Sequence, residues 1–253
     1  MKDKHVHLGK LVRNGKVLIL AMDQGMEHGP RDFNDKNINP EYVIDIACRG
    51  GFTGFAIHKG IAKHYKENYS GKVPLVLKLN GRTAIVPKDE IYSSQVASVK
   101  EAAALGADAI GYTIYVGSPR EADMFHEFGK IQEEADDYGL ACVVWAYPRG
   151  KHVHDEKSVE IVSYSARVAL ELGADVVKIN YPGSVDGMKN VVAAAGRCRV
   201  ISAGGSKQPD AEFIAKVKDI MAGNGAGLAV GRNVWQNENP MKITEEIKKA
   251  IFG

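Results

Sequence analysis

An α/β fold, the (β/α)8 or TIM barrel, is what this sequence predicts, and three observations predict it. Short apolar runs ending in polar or glycine residues recur down the chain. Amphipathic, Glu/Lys/Ala-rich segments separate most of them, which implies βα units and a parallel sheet. The length of 253 residues suits one such barrel, a single domain over residues 1–253.

The elements follow in order. The first run is KVLILAMD (16–23), apolar up to an aspartate, and the second is GFTGFAIH (51–58). The third, VPLVLKLN (73–80), carries a lysine and an asparagine at its end, and the fourth is ADAIGYTIY (107–115). EADMFHEFGKIQEEADDYG then reads as a helix leading to the fifth run, ACVVWAYP (141–148). SVEIVSYSARVALELG is the helix before the sixth, DVVKINYP (175–182). The seventh and eighth, RVISAGG (199–205) and GLAVGRN (227–233), close on glycines. LGADAIG (105–111) and LGADVVK (172–178) echo each other, each a helix ending, a glycine suited to a left-handed cap, and a strand start. They lie two βα units apart, as a repeated architecture requires. A doubly wound open sheet is the competing fold, but G-x-G-x-x-G after the first strand is missing.

Composition removes several function classes. Lys+Arg number 33 against 31 Asp+Glu, and the basic residues are dispersed, so no nucleic-acid partner is expected. No apolar run reaches membrane-spanning length, and MKDKHVHLGK has no signal-peptide core. Cys48, Cys142 and Cys198 are far apart and form no CxxC. A cytoplasmic, reduced chain with no membrane partner is the expectation.

In a barrel, function gathers at the C-terminal ends of the strands. Those ends supply Asp23, His58, Lys78, Asn80, Tyr112, Tyr115, Trp145, Tyr147, Lys178 and Asn180, then Gly204-Gly205 and Gly231-Arg232. Lys178 stands out. Alternation sends Val177 and Ile179 toward the helices, so Lys178 points into the barrel, where an ammonium is costly unless paired or neutralised. Desolvation lowers a lysine pKa and leaves an amine able to attack a carbonyl. Trp145 and Tyr147 share one face of the fifth strand and should reach the interior beside Lys178; a phenol there can carry a proton. Asp23 offers a carboxylate for a substrate hydroxyl or for the amine. SAGGSK, opening at Ser202, and VGRN sit where barrels commonly bind phosphate, with glycines for close backbone approach and a guanidinium in Arg232. Together these suggest Schiff-base chemistry on a phosphorylated ketone or aldehyde. A metal is the alternative: His5-x-His7 and His152-x-His154 have ligand-like spacing, and His28 and His58 lie near strand ends. Neither pair brings a third ligand, so no metal is expected.

ILAMDQGMEHGP, GYTIYVGS, VVWAYPRG, GADVVKINYPG, SAGGSK and AVGRNVWQ resemble the archaeal-type class I fructose-1,6-bisphosphate aldolases of the DhnA family, from about Leu11 to Trp235. The resemblance implies a metal-free, cofactor-free barrel, a homo-oligomer, that cleaves fructose 1,6-bisphosphate in glycolysis or gluconeogenesis. It makes Lys178 the Schiff-base residue and Tyr147 the principal acid/base, with Asp23, Trp145 and His28 in the same pocket. Gly204, Gly205, Gly231 and Arg232 would hold the C1 phosphate and Arg149 the other, with Ser202 among the substrate-binding residues. One position departs: Gln24 stands where the family pattern has a histidine, and it cannot titrate near neutral pH. Two other readings share parts of the motif set. A relative could use the same lysine to make 2-amino-3,7-dideoxy-D-threo-hept-6-ulosonate or to act as a thiolase on a phosphorylated pentanedione. The third reading is a non-enzymatic sugar-phosphate binder. EHGP and WAYPRG favour the aldolase, and an intact Lys178–Tyr147 pair speaks against the binder.

Overall fold

The computed structural model describes residues 4–87 and 90–253. Eight parallel strands close into a barrel: β1 (Val17–Ala21), β2 (Gly54–His58), β3 (Leu75–Lys78), β4 (Ala109–Val116), β5 (Ala141–Pro148), β6 (Val176–Ile179), β7 (Arg199–Ala203) and β8 (Gly227–Val230). Neighbours in the chain are neighbours in the sheet, and β1 pairs with β8 to complete the ring. All eight predicted strands are present. Each is shorter than its apolar run or matches it, because the terminal polar residues turn out of the sheet to form the rim.

Alternation sorts the strand residues into two cores. One face supplies the barrel interior: Val17, Ile19, Ala56, Val76, Ala109, Val143, Trp145, Val176, Ile201 and Ala229. The other, with Leu18, Leu20, Ile57, Val144, Val177 and Val200 among its members, packs under the helices. The two quoted helical segments form Glu121–Tyr138 and Val159–Glu171, the latter capped by the Ser158 side chain accepting from the Ile161 N–H. The echoed glycines, Gly106 and Gly173, both adopt positive φ (+80° and +90°), closing their helices before β4 and β6. At the N-terminal end of the barrel, the helix Lys4–Leu11 presses Leu8 and Leu11 into the interior core and plugs it. No helix among the described residues is long and apolar enough to cross a membrane.

Side-chain size inside the ring decides where the free space lies. On the rim side β4 and β5 carry Tyr115, Trp145 and Tyr147, while β1, β7 and β8 carry Ala21, Ala203 and Ala229. The cleft therefore opens off-centre, over β6 to β8 and β1.

Candidate active site

The cleft at the C-terminal ends of the strands has a volume of about 180 Å³. Lys178 rises into it from β6 with 7% of its surface exposed. Its Nζ lies 5.1 Å from the centre of the Trp145 ring and 5.9 Å from that of Tyr147. Pairing places Trp145 opposite Lys178 across β5 and β6, which is why the indole covers the amine. Burial lowers the Lys178 pKa below the ordinary lysine value. Asp23 and Glu27 oppose that shift with their negative charge, and Arg232 reinforces it. A lowered pKa leaves more of the amine in the neutral, nucleophilic form than an ordinary lysine has.

Asp23 lies two residues beyond β1, just before the short helix Gln24–His28, makes no side-chain capping bond to it, and lines the cleft. Burial alone would raise its pKa. Lys178, Lys78 and His58 together outweigh that and hold the carboxyl below its usual range, as the anion. Tyr147 is pushed the other way, upward, by burial first and then by the charges of Asp23 and Glu27, so it rests as the neutral phenol.

The barrel interior holds a second lysine, and its surroundings differ. Lys78 is fully buried, donates to the Asn80 carbonyl (2.8 Å) and side-chain oxygen (3.0 Å), and pairs with Glu27 at 3.5 Å. Every direction its ammonium can donate is taken. Its Nζ lies 5.4 Å from the centre of the Trp145 ring, so both lysines lie near one indole. Only Lys178 reaches the cleft.

Room for that indole comes from the echoed repeat. Gly111 in LGADAIG holds the place that Lys178 holds in LGADVVK. A Cβ on Gly111 would stand 2.6 Å from the Trp145 ring and 3.2 Å from Lys78 Cδ. Gly111→Ala should therefore overpack the barrel, costing about 1–3 kcal/mol, and thermal unfolding is expected several degrees lower with altered tryptophan fluorescence. An unchanged melting temperature would mean that the indole has freedom to move.

Guanidinium groups ring the opening. Arg232 lies 3.8 Å from Asp32, whose carboxylate also takes a 2.7 Å bond from His28. Arg149 stacks over Tyr115 (5.5 Å) and Tyr147 (5.7 Å) and pairs with Glu156 at 3.3 Å. Arg82, from the segment after β3, completes the set. Gly204, Gly205 and Gly231 line the wall between Arg232 and Lys178. A Cβ at Gly231 would come within 3.1 Å of the Ala21 carbonyl and 3.0 Å of the Trp235 indole nitrogen.

Of the residues the sequence singled out, Lys178, Tyr147, Asp23, Trp145, His28, Arg149, Gly204, Gly205, Gly231 and Arg232 line this one cleft, with Tyr115 and Asn180. Ser202 does not. It shares the outward phase of Val200, is fully buried, and points its hydroxyl at the Ala203 carbonyl (3.4 Å). Tyr112 also faces outward and donates to Glu127 at 2.7 Å. Asn80 is consumed below the cleft by Lys78, Ser93 and Thr113. His58 lies beneath the rim, its ring beside the Gly81 backbone. Glu27 and Arg82 line the cleft and were not singled out.

The histidine pairs go elsewhere. His7 bonds Asp108 (3.1 Å) at the start of β4, the opposite end of the barrel, and the side chain of His5 lies outside the described residues. His152 and His154 are exposed in the loop after β5. Among the described residues no three His, Cys, Asp or Glu side chains are gathered as a metal site would gather them. A larger cavity of about 500 Å³ lies behind the helix Gln24–His28, walled by Met22, Met26, Phe33, Ile38 and Ile61. Its wall is mostly apolar, with Asp23, His58, Lys59 and His64 at its border and none of the arginines of the smaller cleft.

Residues 17–237 match the DeoC/LacD family of aldolases. The chain belongs to this aldolase family. A class 1 fructose-bisphosphate aldolase from Thermoproteus tenax is 43% identical over 244 residues, 95% of this chain and 91% of the relative. The structure of a Schiff-base-forming fructose-1,6-bisphosphate aldolase superposes with a TM-score of 0.94 at 41% identity, covering 99% of this chain and 100% of that one. An archaeal fructose-1,6-bisphosphate aldolase whose catalytic lysine is covalently bound to a carbinolamine of the substrate matches with the same score, identity and coverage. The fold expectation and the family resemblance of the sequence are both borne out by these findings.

As a DeoC/LacD aldolase, the chain should show a definite response to the charge beside its lysine. Asp23 favours the ammonium of Lys178. In Asp23→Asn that support is gone, the Lys178 pKa falls further, and a neutral amine persists to lower pH. The acid limb of borohydride trapping is thus expected to move to lower pH than in the parent. A limb that moves upward would mean that another group governs the amine.

Proposed function

We propose that this aldolase is a class I enzyme that reversibly cleaves fructose 1,6-bisphosphate to dihydroxyacetone phosphate and glyceraldehyde 3-phosphate through a Schiff base on Lys178. The observation that carries the reading is a buried amine, lowered in pKa, at the foot of a cleft ringed by guanidinium groups. The named activities of the relatives support it.

The substrate has two phosphates and the cleft two places for them. Gly204, Gly205, Gly231 and Arg232 take the C1 phosphate, and Arg149 with Arg82 takes the other. That orientation sets the C2 carbonyl above Lys178. The amine adds to the carbonyl, water leaves, and the iminium draws electrons from the C3–C4 bond as it breaks.

Tyr147 can carry the protons, and its resting charge fixes the order. Starting as a phenol, it protonates the departing hydroxyl of the carbinolamine. The resulting phenolate then takes the C4 hydroxyl proton as the bond cleaves and the aldehyde leaves. The phenol next protonates the enamine at C3, and the final hydrolysis of the iminium returns a proton from water. The count closes, with a phenol at either end. Asp23 holds a substrate hydroxyl, Trp145 covers the amine, and His28 is oriented by Asp32. Gln24, in the cleft where the family pattern has histidine, supplies hydrogen bonds without titrating.

The iminium on Lys178 serves as the electron sink, so the reaction calls for no metal or other cofactor. The reading includes a cytoplasmic homo-oligomer, as the family resemblance implies. Fructose 1,6-bisphosphate cleavage coupled to triose-phosphate detection, with chelator present, is the test. Sustained turnover is expected. Loss of activity in chelator, or trapping without cleavage of this sugar, would overturn the reading, the latter in favour of the synthase or thiolase chemistry.

A further inference from the structure

Asn233 stands one residue beyond Arg232, and the aldol steps above make no use of it. It is 1% exposed. Its Nδ2 donates to the carbonyls of Gly204 (3.2 Å) and Ser206 (2.9 Å), and its Oδ1 accepts from the Gln208 N–H (3.1 Å). All three bonds go to a single loop, residues 204–208, which follows β7. A second donor reaches the same Gly204 carbonyl: Lys216, on the helix Asp210–Ala222, at 2.7 Å. The Gly204 N–H is held as well, by the Ala229 carbonyl at 2.9 Å. Gly204 packs closely on β8, since a Cβ there would lie 3.2 Å from Val230 Cα.

These bonds have a directional consequence. In a trans peptide the carbonyl and the following N–H point opposite ways. Two donors, Lys216 and Asn233, grip the Gly204 carbonyl, so the Gly205 N–H is turned away from them, and both glycines line the cleft. Gly205 has φ +79°, which a residue with a side chain adopts only under strain. A loop left free to rotate this peptide would average the N–H direction and weaken any anion bond it makes. A loop clamped at several points presents it already oriented.

We propose that Asn233 and Lys216 are positioning residues that fix the Gly204–Gly205 peptide as an anion receptor, and that this clamp sets a preference for phosphorylated over unphosphorylated ketone donors. The proposal rests on the aldolase reading. A merely structural buckle between β7 and β8 would affect stability, and it would affect all donors alike.

The test compares dihydroxyacetone phosphate with dihydroxyacetone as donors in the full-length parent, Asn233→Ala, Asn233→Asp and Lys216→Met. Lys178 trapping and initial rates of condensation are read for each, with inorganic phosphate as a competitive probe. Asn233→Ala is expected to raise KM for dihydroxyacetone phosphate roughly tenfold and to weaken phosphate inhibition in proportion. Its kcat/KM for dihydroxyacetone should stay within about twofold. Asn233→Asp keeps the shape but turns an acceptor toward two carbonyls, so it should behave like the alanine variant. Lys216→Met should change the donor ratio in the same direction, by about threefold. Equal losses on both donors, or an unchanged ratio, would overturn the proposal. If the Asn233 variants do not fold, the donor ratio of Lys216→Met decides alone. A parent that traps neither donor would sink the aldolase reading and this proposal with it, whereas a parent that traps both while the variants keep its ratio sinks only the proposal.

Discussion

Lys178→Ala is expected to abolish borohydride trapping with dihydroxyacetone phosphate and to lower fructose 1,6-bisphosphate cleavage by about 10⁴-fold or more. Without the amine there is no iminium, and nothing else in the cleft can accept the electrons of the breaking C3–C4 bond. Lys78 is the one neighbour of similar chemistry near Trp145, and it cannot substitute. Its ammonium is engaged by Asn80 and Glu27, and Lys78 does not line the cleft. Peptide mapping of the reduced adduct in the parent should place the label on Lys178 and leave Lys78 unmodified. The variant should fold, because truncating Lys178 removes a costly buried amine rather than a paired one; a melting temperature at or slightly above the parent value would accord with that. Ordinary turnover in Lys178→Ala would disprove Schiff-base chemistry at this position.

The barrel was legible because its two cores obey one simple rule, alternation, over eight runs in sequence. The same rule sent Trp145 and Tyr147 from β5 and Lys178 and Asn180 from β6 to the interior, and all four line the cleft; Arg149, just beyond β5, entered only through the family resemblance. Where a motif was preferred over phase, the reading failed. Ser202 entered through SAGGSK, although its neighbour Ile201 is an interior residue, so alternation sends Ser202 outward. Tyr112 sits between the interior positions Gly111 and Thr113 and meets the same fate. Glu27 and Arg82 escaped for another reason. They lie on a short helix and on a connection beyond the strands, where a two-residue period says nothing about direction. Charge offered a signal for Glu27. A lysine at position 78 that alternation buries requires a carboxylate partner, and Glu27 supplies it. No comparable signal marks Arg82. Asn233 was visible only as a letter in VGRN, because its partners are backbone atoms of a loop about 25 residues away in the chain.

Tyr147→Phe separates covalent chemistry from proton transfer. The substitution keeps the ring that borders Lys178 and stacks with Arg149, and removes one hydroxyl. Adduct formation on Lys178 should remain detectable by borohydride reduction, since solvent can slowly supply the proton that dehydration needs. Cleavage should fall by about 10²–10⁴-fold, the usual contribution of one acid/base group. The pKa argument sharpens the expectation. With burial, Asp23 and Glu27 all raising it, Tyr147 is a poor base at rest, and it becomes one only after giving up its proton in an earlier step. Protonation of the enamine at C3 should therefore slow alongside bond breaking, and exchange of the C3 proton of dihydroxyacetone phosphate with deuterated water should slow by a similar factor. The two rates together are diagnostic. Slow cleavage with normal exchange would confine the phenol to the C4 hydroxyl and assign C3 protonation to another group, with Glu27, in the same cleft, the first to examine. Normal rates for both would remove Tyr147 from the proton path and leave its ring a packing role beside the lysine.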